Sequence, residues 1–150
     1  MNYTFNRRYK KELEFLSEYY KNIKINKENT DKEVRITLIL GNYTIFIILN
    51  NDYPFSPPQD IKINNLDINC YVNLNVSLLL KKYFDIFCIK CESLLCENKW
   101  NPTYKLTNII SEQIKYYNYI NSIINITEIQ KKVYINEDII INIMNYIKDK

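Results

Sequence analysis

Three cysteines, Cys88, Cys91 and Cys96, crowd into nine consecutive positions, and a fourth, Cys70, precedes them. Thiols so placed offer two chemistries. A thiolate is a nucleophile that can accept an acyl group as a thioester. Four thiolates can instead hold a zinc ion. Cys88-x-x-Cys91 has ligand spacing for this, although Cys70 and Cys96 complete the set irregularly. The two readings exclude each other at Cys91, because a zinc-bound thiolate is not free to attack. The clustering suits a reducing, cytoplasmic setting better than a disulfide framework. Asn-x-Thr sequences such as Asn42-Tyr43-Thr44 then need no glycan reading.

The chain has no His. That removes Ser-His-Asp and Cys-His activation, and every His-ligated zinc, haem or iron centre. Catalysis must run on Cys, Lys, Tyr or carboxylates. The net charge of +3 is mild and the lysines are spread among acids, which argues against a nucleic-acid partner. No apolar run approaches the roughly 18 residues of a membrane-spanning helix, and the start of the chain has no apolar signal-peptide core. No cofactor is implied.

The 150 residues suit one domain spanning 1–150, able to bury roughly 70% of its unfolded surface. The chain is rich in Asn (22), Ile (26), Lys (17) and Tyr (14), with one Gly, four Pro and no Ala. Those favoured residues have A/T-rich codons, so the bias reflects the genome and makes any single Asn or Lys weak testimony.

The elements that must position the thiols follow from periodicity. Tyr9, Leu13, Leu16 and Tyr20 recur at helical spacing and predict a helix over Arg7–Asn22, with Asn6 as its cap. Its basic residues Arg7, Arg8, Lys10 and Lys11 fall largely off that stripe. Val34–Leu40 and Tyr43–Leu49 read as strands. Gly41-Asn42 between them predicts a hairpin with a type II′ turn, Gly taking the first, positive-φ place. Tyr53-Pro54-Phe55-Ser56-Pro57-Pro58 is a rigid turn, since proline fixes φ and removes backbone donors. A short strand over Gln59–Ile63 and an irregular one over Leu66–Asn75 follow, then a helical run over Ser77–Phe84 capped by Ser77. After Trp100-Asn101-Pro102, a helix is expected over Leu106–Ile124. A last helix runs over Ile135–Ile147, with Asn136 as cap and Glu137 and Asp138 in its first turn. Strands followed by helices predict an α+β fold, an antiparallel four-stranded meander with an N-terminal helix and C-terminal helices.

In this order, three segments give a resemblance. Tyr53-Pro54-Phe55-Ser56-Pro57-Pro58, then Cys91-Glu92-Ser93-Leu94-Leu95, then Trp100-Asn101-Pro102 with Leu106 and Ile109-Ile110 after it resemble motifs of the ubiquitin-conjugating enzyme superfamily. The segment Cys-x-x-Cys-x-Ser-Leu-Leu-Cys is most similar to divergent, giant-virus-type members. The resemblance covers Phe5 to about Ile124. It implies that Cys91 carries ubiquitin, or a ubiquitin-like protein, as a thioester. It implies that Arg7, Arg8, Lys10 and Lys11 face an activating enzyme. It implies, too, that Phe55, Pro57 and Pro102 border the surface a ubiquitin ligase grips. Trp100 and Phe55 are read as packing residues.

Two features depart from the family. Where it has His-Pro-Asn, this chain reads Lys81-Lys82-Tyr83. The stretch between Pro58 and Cys91 is also longer than usual and carries Leu78-Leu79-Leu80, which would lie over the active-site side. Oxyanion help would fall to a backbone amide, Asn98 or Asn101. A catalytically inactive variant that binds ubiquitin or a partner enzyme is the alternative. A zinc-stabilised interaction domain with Cys70, Cys88, Cys91 and Cys96 as ligands is the third.

Overall fold

The computed structural model describes residues 3–30, 32–68 and 74–149. Cys70, and with it one member of the four-cysteine zinc set, lies outside the described residues. In chain order the elements are α1 (Tyr3–Tyr19), β1 (Lys24–Asn29), β2 (Glu33–Leu40), β3 (Tyr43–Asn50) and β4 (Asp60–Ile63). Then come α2 (Leu74–Phe84), α3 (Ile89–Glu92), α4 (Leu106–Lys132) and α5 (Glu137–Lys148). The architecture is α+β: an N-terminal helix, a four-stranded antiparallel sheet in the order β1-β2-β3-β4, and C-terminal helices.

Alternation builds the sheet. Val34, Ile36 and Leu38 of β2 are buried, and so are Ile45, Ile47 and Leu49 of β3 and Ile61 and Ile63 of β4. The register puts them opposite one another: Val34 against Leu49, Ile36 against Ile47, Leu38 against Ile45, and Ile47 against Ile61. A one-residue slip would expose the whole set, so burial of this face fixes the pairing. The hairpin joins Leu40 to Tyr43. Gly41 has φ +56 and Asn42 is not in the positive region, the sign pattern of a type II′ turn.

Four expectations change. The first helix starts at Tyr3, because Phe5 adds one more turn to the buried stripe of Tyr9 and Leu16. Asn6 is therefore inside the helix and does not cap it. The fourth strand is β1, not Leu66–Asn75. Leu66 makes a single bridge to Ile63, Leu74 and Asn75 open α2, and residues 69–73 lie outside the described set. β1 is largely exposed and lacks apolar alternation, so only its ladder to β2 reveals it. Its lysines are typical of a guarded sheet edge. Ser77 is likewise inside α2. α4 runs on past Ile124 to Lys132, since nothing breaks it and Ile126 continues its buried stripe. Lys131 and Lys132 close it, where the helix dipole favours cations.

α4 is the central packing element, touching α1, α2, α5 and β4. Leu106, Ile109, Ile110, Ile120 and Ile123 are its buried stripe. α5 begins as expected, with the Asn136 Oδ1 accepting the Asp138 N–H at 3.0 Å. Among the described residues no helix is long and apolar enough to cross a membrane.

Candidate active site

α3 holds the thiols. Cys88 is its N-cap, in extended backbone (φ −155, ψ 108), and its Sγ accepts the Cys91 N–H at 3.3 Å. Glu92 reaches back, its Oε1 accepting the Phe87 N–H at 2.8 Å and the Cys88 N–H at 3.4 Å. Cap and carboxylate thus satisfy, from both directions, amides that a helix start leaves without partners.

The segment after Cys91 is latched to α4. Glu112 accepts the Leu94 N–H at 3.0 Å and the Ser93 hydroxyl at 2.9 Å. Gln113 Nε2 donates to the Ser93 Oγ at 3.1 Å, and the same oxygen accepts the Leu95 N–H at 3.1 Å. Ser93 and Gln113 are each 1% exposed. Sequence reasoning missed Glu112 and Gln113, since two polar residues on a helix carry no local sign of an anchoring role.

The Pro-rich turn forms the facing wall. Phe55 and Ser56 N–H groups both donate to the Asp52 carbonyl, at 2.7 and 3.1 Å. The Tyr53–Pro54 peptide is cis. Trp100 Nε1 donates to the Pro54 carbonyl at 2.8 Å and joins this turn to the Trp-x-Pro turn. Tyr53 is buried with its ring 6.2 Å from that of Trp100. Burial, followed by the neighbouring Glu12 carboxylate, pushes the Tyr53 phenol well above its usual range. Between turn and thiol segment lies an open cleft of about 710 Å³. Ser56, Pro57 and Pro58 line one side, Asp60 and Asp67 the floor strand and its exit, and Cys91, Cys96 and Asn98 the other side.

Cys91 is exposed on this cleft, whereas Cys88 and Cys96 are half-buried. The two thiols of Cys88-x-x-Cys91 act on each other. Donation from the Cys91 thiol, then from the Cys91 amide, lowers the pKa of Cys88. The proton shared with Cys88, then the charge on Cys88, raises that of Cys91. Cys88 is therefore the more acidic thiol and Cys91 the more accessible one. Among the described residues no three His, Cys, Asp or Glu side chains cluster closely enough to hold a metal ion.

The remaining expected site residues are dispersed. Arg7, Lys10 and Lys11 are exposed on α1. Arg8 turns inward: its Nη2 lies 2.7 Å from the Glu12 Oε1 and donates to the Tyr104 carbonyl at 2.9 Å. Phe55, expected to pack, instead stands 69% exposed, because the Asp52-anchored turn points it outward. Pro57 is half-buried in the cleft wall and Pro102 is exposed. Asn98 lines the cleft, whereas Asn101 Oδ1 is taken up by the Thr103 N–H and hydroxyl at 3.0 and 2.8 Å. Lys81, Lys82 and Tyr83 belong to α2, and neither they nor Leu78, Leu79 and Leu80 line the cleft. The leucine run packs toward α4 and α5 instead of covering Cys91, with Leu80 buried and Leu78 exposed. Comparison of the chain with family models, with curated proteins and with solved structures finds no match.

Proposed function

We propose that the chain is a divergent ubiquitin-conjugating enzyme of the ubiquitin-conjugating-enzyme fold, accepting ubiquitin or a ubiquitin-like protein on Cys91. The observation that carries this reading is the exposed Cys91 thiol on a cleft whose opposite wall is the Tyr-Pro-Phe-x-Pro-Pro turn. The element order, from helix through meander, Pro-rich turn and thiol segment to Trp-x-Pro and helices, supports it.

The chemistry needs little beyond a thiol. The Cys91 thiolate attacks the carbonyl of the activating enzyme's thioester, and that enzyme's cysteine leaves as thiolate. A lysine amine then attacks the Cys91 thioester, Cys91 leaves, and the amine's proton passes to solvent. The acyl group arrives activated, so the absence of His is no obstacle. Asn98 stands on the cleft wall to donate its amide to the developing oxyanion. On this reading Arg7, Lys10 and Lys11 meet the activating enzyme, and Phe55, Pro57 and Pro102 meet a ligase.

The inactive binding module is the second reading. It is favoured by the position of Lys81-Lys82-Tyr83 inside α2, away from the cleft, in place of the family's His-Pro-Asn. Incubation with activating enzyme, ATP and ubiquitin, followed by a non-reducing gel, separates the two. The enzyme gives an adduct that reductant cleaves, that Cys91→Ala abolishes and that Cys91→Ser turns into a reductant-resistant ester. Ubiquitin binding without any adduct supports the module.

A further inference from the structure

Cys88 and Cys91 are joined by a contact that thioester chemistry does not call for: the Cys91 amide donates to the Cys88 sulfur. They bracket the first turn of α3, where residues three apart lie on one face with Cβ atoms about 5–6 Å apart in a regular helix. Cys88 is not in regular helix. As an extended N-cap it leans its side chain over the turn, and its Sγ already touches the Cys91 amide at 3.3 Å. The Cys91 sulfur hangs from the same residue as that amide. Its thiol already donates to Cys88, so the two side chains are neighbours across the turn. Cys91 is exposed and α3 ends one residue later.

We propose that Cys88 and Cys91 form a redox-active dithiol that reacts with low-molecular-weight disulfides and closes to a reversible internal disulfide across the first turn of α3. The roles within the pair are distinct. Cys88, whose sulfur sits at the N-cap of α3 and accepts the Cys91 amide so that its thiolate is favoured, attacks one sulfur of the external disulfide, forming a mixed disulfide and releasing one thiolate. Cys91 then loses its proton to solvent and attacks the Cys88 sulfur. The second external thiol leaves and takes up a proton. Two protein thiols are oxidised to one disulfide, and one external disulfide is reduced to two thiols. In a reducing compartment such a bond is transient, as a sensing thiol pair requires.

The consequence for acyl transfer rests on the reading of Cys91 as the thioester site. A disulfide at Cys91 leaves no thiol to accept the acyl group, so the oxidised protein would be locked off.

The full-length chain, reduced and desalted, is treated with glutathione disulfide, quenched in acid, alkylated when denatured and mapped by peptide mass spectrometry. The wild type should lose alkylation at Cys88 and Cys91 together and give a linked peptide without retained glutathione. Cys91→Ser should keep glutathione on Cys88, because the resolving thiol is gone. Cys88→Ser should retain glutathione on Cys91 with no internal bond, while the substituted hydroxyl preserves the helix cap. Stable glutathione adducts on the wild type without an internal bond overturn the proposal. So does a bond from either thiol to Cys70 or Cys96. In a second arm, oxidised and reduced protein are offered activating enzyme, ATP and ubiquitin. Loading by the reduced form alone supports the lock, and equal loading by the oxidised form overturns it. Should the reduced form fail to load, the thioester reading falls, and the peptide map still decides the dithiol.

Discussion

Cys91 is marked by its neighbours in the chain, and its chemistry is set by a residue three positions away. The proton it shares with Cys88 holds its thiol up and draws the Cys88 thiol down. The sign follows directly. In wild type, the pH at which Cys91 becomes half reactive toward iodoacetamide should lie above the ordinary thiol value, and that of Cys88 below it. Cys88→Ala removes both the shared proton and the charge, so the Cys91 midpoint moves down, and at neutral pH its alkylation speeds up. Cys96, which pushes Cys91 upward, and Lys99, which pulls it down, remain in that variant. Peptide-resolved alkylation across pH checks this, and an unmoved Cys91 midpoint would sink it. Asparagine teaches the opposite lesson. With 22 of them, Asn64 did not stand out in the sequence. Yet Asn64, at φ 50, accepts the Thr44 N–H at 2.8 Å and donates to the Tyr117 hydroxyl at 3.0 Å, pinning the hairpin to α4.

Among the elements, the hairpin and the thiol segment are held by different means. The hairpin depends on one backbone conformation. A Cβ on Gly41 would meet nothing within 4 Å, so the cost of Gly41→Ala is purely that of positive φ, about 1–2 kcal/mol. A urea midpoint shift of that size, with the core intact by near-ultraviolet circular dichroism, is the expected outcome. The thiol segment depends on a side chain from another element. Glu112→Ala leaves the Leu94 amide and the Ser93 hydroxyl without their acceptor and should cost about 1–3 kcal/mol. Amide exchange around Leu94 should quicken at the same time, and Glu112→Gln, which keeps one acceptor oxygen, should lose less. Turn and helix patterns were legible because each is written in consecutive residues. β1 was not, because a polar edge strand has no apolar alternation and exists only through its partner.

Across the whole molecule, the cleft is assembled from a turn, a strand and a short helix that no single element specifies. Trp100 ties two of its walls through the bond from Nε1 to the Pro54 carbonyl. Trp100→Phe keeps an aromatic ring and loses that bond, so it should lower stability by about 1–2 kcal/mol. It should also loosen the Pro-rich turn, read as faster amide exchange at Phe55 and Ser56; unchanged exchange there would count against the tie. Arg8 shows why a surface charge could not be placed from sequence. Its guanidinium pairs with Glu12 one turn on in α1, a carboxylate left 1% exposed, and donates to a carbonyl 96 residues away that arrives only when α1 docks beside α4. The sequence by itself determined the α+β order, the hairpin, the rigid Pro-rich turn, the helix faces and the crowding of thiols, because period, proline, glycine and spacing act locally. Tertiary structure decided the sheet edge, the inward Arg8, the Glu112 latch and the cleft at Cys91. Those properties depend on burial and on groups brought together through space, which no run of neighbouring residues encodes.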